Sequence, residues 1–316
     1  MRGLIPASVM PEREAEMSKS ILPSNDQLQR IISRKKPRSF ARDTARQLSG
    51  NPGAILGTIV LIVLVLVSAM APILSPYDPA STDLLSQLEP PNSSHWFGTD
   101  EFGRDILTRI VYGGRISLTV GLIALAIGAT LGTFIGLISG FYGGRVDVSL
   151  MWFIDVLLAF PGILLALLVV SILGVDLRNL MLAVGVSMIP RFARLVRGTV
   201  LSAKENLYVD AARVTGLPES LVLARHVLPN VISPVIVLST LSLGTAIIIA
   251  SGLSFLGLGA KPPSPEWGAM LSDGRQFLQR QWWIATFPGV AILVTVLAVN
   301  LIGDGLRDAL DPRMNQ

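Results

Sequence analysis

The chain has no cysteine, and that absence excludes disulfides, thiolate metal sites and cysteine nucleophiles. Histidine is nearly absent too. His95 and His226 lie far apart in sequence, so no histidine-based metal cluster is expected. Charge is scarce: Asp, Glu, Lys and Arg make up 15% of residues, against roughly 25% in a soluble domain. The net charge of +4 is too small to imply nucleic-acid binding. There is no G-x-x-x-x-G-K-[S/T] loop to cradle a phosphate, no H-E-x-x-H and no G-x-S-x-G. No pair of carboxylates lies within an apolar run, which excludes aspartyl proteolysis in the membrane. Catalysis by this chain is therefore not expected.

What is abundant is apolar: 51% of residues are hydrophobic, and they concentrate in six runs at about 53–74, 116–141, 148–173, 179–198, 231–252 and 284–303. Each run is about 20 residues or more, and at about 1.5 Å per residue that crosses a hydrocarbon core of ~30 Å. The expected fold is an all-α, polytopic membrane protein with six transmembrane helices. A basic tail occupies 1–50, the first helix 51–75, a long loop 76–112, a five-helix core 113–307 and a short tail 308–316. The first apolar run begins too far into the chain, and is too long, for a signal peptide.

Lys and Arg set the expected orientation. They crowd the N-terminal tail and the stretch from Arg191 to Arg225, which includes Arg194, Arg197, Lys204 and Arg213. Acidic residues dominate 75–115. Both termini and the 201–230 loop are accordingly expected in the cytosol. Trp282 and Trp283 fit an aromatic belt on the outer side.

Two patterns inside the runs stand out. Gly128, Gly132, Gly136 and Gly140 recur every four residues and form a nearly side-chain-free stripe on one helix face. Such a stripe suits close helix packing, whether within the chain, against a partner subunit or along a conduit wall. Asp155 is the one carboxylate well inside a run, and burial in lipid would cost it about 2.5–3.5 kcal/mol. It is expected to pair with Arg191 or Arg194. Pro161, six residues later, is expected to kink the third helix.

The polar stretch YVDAARVTGLPESLVLARHVLPN, 208–230, reads as helix, turn, helix. Gly216 suits a C-terminal cap because it accepts positive φ, and Pro218 suits the start of the next helix. Pro229 marks entry to the fifth run, and His226 is expected to fix the angle of the elbow to that helix through a backbone hydrogen bond. No basic recognition face supports DNA binding. A plain connector or a docking element for a cytosolic motor remain.

This stretch resembles the EAA loop of ABC importer permeases, with Asp210, Ala211, Ala212, Gly216, His226 and Pro229 at the matching positions and Asp210 replacing the usual Glu. The stretches HWFGTDEFGRDILTRIVYGGRISL (95–118), LSFLGLGAKPPSPEWGAML (253–271) and NLIGDGLRDALDPR (300–313) resemble the C-type permease of the dipeptide, oligopeptide and nickel importers. FPGILLA and RLVRG are similar to glutathione and dipeptide members. The resemblance runs from Gly50 onward and implies a type I importer permease fold. It implies a homologous B-type permease, two ABC ATPase subunits that bind ATP and Mg, and a periplasmic or extracellular solute-binding protein. No cofactor or metal is expected on this chain. Asp210, Ala211, Ala212, Gly216, His226 and Pro229 are the implied ATPase-coupling residues. Within 257–267, Pro262, Pro263 and Trp267 suggest an outer gate or docking surface, or simply a rigid loop. A stand-alone secondary carrier and a membrane enzyme are the alternatives.

Overall fold

The computed structural model describes residues 48–310, so the tail expected over 1–50 lies outside the described residues as far as Gln47. The described part is helical. The helices are α1 (Pro52–Ala69), α2 (Ala71–Leu74), α3 (Ile106–Tyr142), α4 (Gly144–Leu158), α5 (Gly162–Leu173) and α6 (Leu177–Lys204). They continue with α7 (Leu207–Val214), α8 (Glu219–Val222), α9 (Leu228–Phe255), α10 (Trp267–Gly274) and α11 (Trp283–Leu310). Short polar caps start the long apolar helices. Asn51 Oδ1 accepts from Gly53 N at 3.0 Å ahead of α1, Asp105 Oδ2 from Thr108 N at 2.7 Å ahead of α3, and Asp176 Oδ1 from Arg178 N at 2.8 Å ahead of α6.

The glycine stripe sets the central helix pair. A Cβ on Gly128 would stand 2.6 Å from Met188 Cβ, on Gly132 2.5 Å from Phe192 Cβ, on Gly136 2.7 Å from Val196 Cβ and on Gly140 2.8 Å from Val200 Cβ. The partners advance along α6 as the glycines advance along α3, so the two helices run parallel. The stripe is thus filled from within the chain, the first of the three packings open to it.

Parallel packing has a topological consequence. The segment between α3 and α6 must bring the chain back to where α3 began. α5 alone, with 12 residues, reaches only about 18 Å. α4 and α5 together form one crossing, bent by 92° at the break between them. Pro161 stands at this break as the cap residue of α5. The expected kink is a right-angle turn, because Pro161 denies its neighbour a backbone donor and Gly162 follows without a side chain to hold the helix line. Five other helices are long and apolar enough to span, so the described residues offer six crossings when the bent pair counts as one.

α9 packs against α3, α6 and α11, and α1 lies outermost on α11. The main core gathers Val120, Ala124, Val184, Phe192, Ala246 and Leu253, with no charged side chain among them. Two ends follow. The loop end carries 75–105 and 256–282; the elbow end carries 142–144 and 205–218.

Candidate functional site

At the elbow end, α7 closes with a Schellman motif. Leu217 N donates to Ala212 O at 3.3 Å and Gly216 N to Arg213 O at 2.9 Å, with Gly216 at φ +80°. Leu217 then packs beside Ala212 and Val209. Space around Gly216 is open, so its φ alone demands glycine. Pro218 sits at the N-cap of α8, one residue before its first turn.

The second arm of the elbow does not stop at Pro229. From Glu219 to Phe255 the chain is one helix of 37 residues. A π turn over Leu223–Val227 accommodates the missing N–H of Pro229, since its wider hydrogen-bond ring lets the backbone slip past the proline. The elbow is therefore rigidly joined to the α9 span.

α7 shows two faces. Val209 and Ala212 are buried against Val222, Val227 and Phe141. Leu207, Asp210, Ala211 and Val214 lie at i, i+3, i+4 and i+7 and all face out. Leu207 is 86% exposed and Val214 89%. Among the described residues Asp210 meets only Arg213, at 3.7 Å, and Arg213 also reaches Glu219 at 3.3 Å. The His226 ring lies beside that of Tyr208, 6.3 Å between centroids, and makes no hydrogen bond among the described residues. The tie that fixes the elbow is Asn230, whose amide donates to the Tyr208 hydroxyl at 3.0 Å and to His226 O at 2.7 Å. Sequence reasoning missed Asn230, because nothing in a 22-residue spacing marks the contact.

Further into the span, Arg194 Nη2 lies 2.6 Å from Asp155 Oδ1, with the two side chains 60% and 61% exposed. Arg191 has no such partner among the described residues. Asp147 accepts both Nε and Nη2 of Arg197 at 2.6 Å each and also binds Ser139, while Lys204 Nζ donates to Phe141 O at 2.6 Å. These pairs bind the tops of α4 and α6 to the end of α3.

The loop end is arranged differently. Pro262 and Pro263 are exposed, but Trp267 is only 1% exposed. Its indole donates to Ile110 O at 2.9 Å and lies over Gly113 and Gly114. Trp267 is an anchor for the loop; its side chain is not available to an outer docking partner. Beside it, Glu266 caps α10 through Gly268 N at 2.9 Å and Ala269 N at 2.8 Å. Burial pushes the Glu266 carboxyl up from its ordinary value, against these donors and Ser117. Arg109 is buried and donates to Pro79 O at 2.8 Å and Pro263 O at 3.2 Å, so it joins the two loops. Asp100 accepts from Arg104 Nε at 2.6 Å. Burial also raises Asp273 and Glu101, the latter further through Asp273 and Asp100.

Comparison with known proteins assigns this helical bundle to a transport family. Residues 132–316, more than half of the chain, match the model of the binding-protein-dependent transport system inner membrane component. Residues 39–91 match the N-terminal TM domain of oligopeptide transport permease C. The chain is 48% identical over 273 residues to the dipeptide transport system permease protein DppC of Alkalihalophilus pseudofirmus, covering 86% of this chain and 90% of that one. It is 41% identical to the probable D,D-dipeptide transport system permease protein DdpC of Escherichia coli K12 (84% and 89% covered). It is 44% identical to the glutathione transport system permease protein GsiD of Pectobacterium atrosepticum (90% and 95% covered).

The chain belongs to the family of binding-protein-dependent transport system inner membrane components. Within it, this is a C-type ABC permease, a polytopic inner-membrane transport subunit and not an enzyme. ATP hydrolysis in such importers belongs to separate ATPase subunits.

Proposed function

We propose that this chain forms half of the conduit of an ATP-driven importer for peptides or peptide-like solutes, of the dipeptide, oligopeptide or glutathione class. The names of its relatives support that substrate class. A homologous B-type permease supplies the other half. A solute-binding protein delivers solute to the loop end, and two ABC ATPase subunits, holding ATP and Mg, act on the elbow end. Both termini lie in the cytosol, as the distribution of Lys and Arg supports.

One observation carries the coupling role. α7 exposes Leu207, Ala211 and Val214 to water on one face, while its other face is sealed to the chain. Exposed apolar rows of this kind mark protein contacts. An ATPase surface seated on that row pushes α7. The Schellman cap and the Arg213 contacts pass the push to α8, and the continuous helix passes it into the span. Gly216 supplies the turn, Pro229 and His226 lie in the junction, and Asp210 borders the row.

The test is assembly. Leu207→Asp with Val214→Asp should leave the chain inserted and paired with its B-type partner but strip the ATPase subunits on co-purification. ATPase retention equal to the unaltered complex would reject α7 as the docking element.

A further inference from the structure

Arg191 is the feature this role does not use. The register of α3 on α6 places it level with Gly132, whose Cβ position lies between Ile189 O and Phe192 Cβ. Gly132 is ten residues from the end of α3 at Tyr142, so Arg191 lies about 15 Å in from the elbow end, near mid-span. It is exposed on this chain's surface and makes no ion pair or hydrogen bond among the described residues. A guanidinium facing lipid at that depth is strongly disfavoured, so this face of α6 meets water, protein or an anion.

The rest of the face narrows the choice. Arg191, Arg194 and Gly198 lie at i, i+3 and i+7, one row of the helix. Arg194 is neutralised by Asp155 at 2.6 Å, which leaves Arg191 as the surplus positive charge. Arg194 and Gly198 open onto a groove of about 580 Å³ that runs toward the elbow end past Ser202, Asn206 and Asn230. Gly198 differs from the glycines of α3. A Cβ there would meet no atom of this chain within 4 Å, so this glycine does not seat another helix of the same chain. Arg191 stands one turn deeper than Arg194, the deepest residue that lines this groove, and a surplus positive charge there suits a small anion that passes through.

We propose that Arg191, with Arg194 beside it, is a way-station for the carboxylate of the transported solute, such as the free C-terminus of a peptide. Arg offers a planar, paired set of donors that matches a carboxylate. The proposal rests on the permease reading above and adds to it the recognised group and the residues that recognise it.

The test uses the full importer with its partner permease, ATPases and binding protein, and a dipeptide offered either with a free carboxylate or as its C-terminal amide. Arg191→Gln should lower uptake of the free acid about tenfold relative to the amide, compared with the same ratio for the unaltered importer, since a hydrogen bond to a charged group is lost. Arg191→Lys should restore part of that ratio. Gly198→Leu should lower uptake of both forms by filling the groove. An unchanged acid-to-amide ratio in Arg191→Gln overturns the proposal, as does normal uptake by Gly198→Leu. Loss of the B-type permease from Arg191→Gln preparations also overturns it, by assigning the arginine to the subunit contact. Absence of peptide uptake by the unaltered importer would instead count against the substrate class.

Discussion

The two ends of the molecule differ in how deeply their polar groups are buried. At the loop end, Arg109, Glu266, Asp100 and Trp267 are all buried, and each has partners within the chain. At the elbow end Leu207 and Val214 stand on the surface, and further into the span the Asp155–Arg194 pair is exposed. A buried polar group without a partner costs about 1–3 kcal/mol, so the loop end is stable only as a completed network. The elbow end is tied by the part-exposed Asp147–Arg197 pair, and the exposed row of α7 is free to be completed by another subunit. The loop end is held by a buried polar network; the elbow end presents an exposed helix face.

The contrast can be broken hardest at Trp267. Trp267→Ala should cost about 3–5 kcal/mol by emptying the notch over Gly113 and Gly114, seen as a lower melting temperature of the purified subunit complex. A shift under 1 °C would mean the loop end is not held by this anchor. Gly216→Val should cost less, about 1–2 kcal/mol, because only the positive φ is strained and no atom is struck. Its effect should appear as ATP hydrolysis without matching uptake, with insertion little changed. Normal uptake would argue that the cap does not transmit the push. Asp210→Asn should be the mildest, under about 1 kcal/mol, since its contact to Arg213 is a 3.7 Å surface pair. A large loss of stability there would blur the difference between the ends.

Much of this architecture can be read in the sequence, and for identifiable reasons. Long apolar runs give the crossings, a four-residue glycine repeat gives close packing, and Gly216 followed by Pro218 gives the elbow's turn. Other features are not local. Residues 148–173 read as one continuous run because apolar composition does not register a 92° bend. The reach of α9 back to Glu219 is hidden because a proline ordinarily ends a helix, and the π turn that rescues it has no sequence mark. Trp267 looks like a loop aromatic until Ile110, 157 residues away, is seen to accept its N–H. Arg109 likewise finds Pro263 across 154 residues. The parallel pairing of α3 and α6, which requires the bent return, is a tertiary fact that no single window contains.

The proposed coupling role requires α7 to be a cytosolic surface covered by an ATPase. The absence of cysteine makes a direct measurement possible, because a single introduced thiol is the chain's only one. Val214→Cys should react with a membrane-impermeant maleimide in inverted vesicles but not in right-side-out vesicles, and the reaction should be suppressed when the ATPase subunits are present. Labelling from the outside, or equal labelling with and without the ATPases, would contradict it.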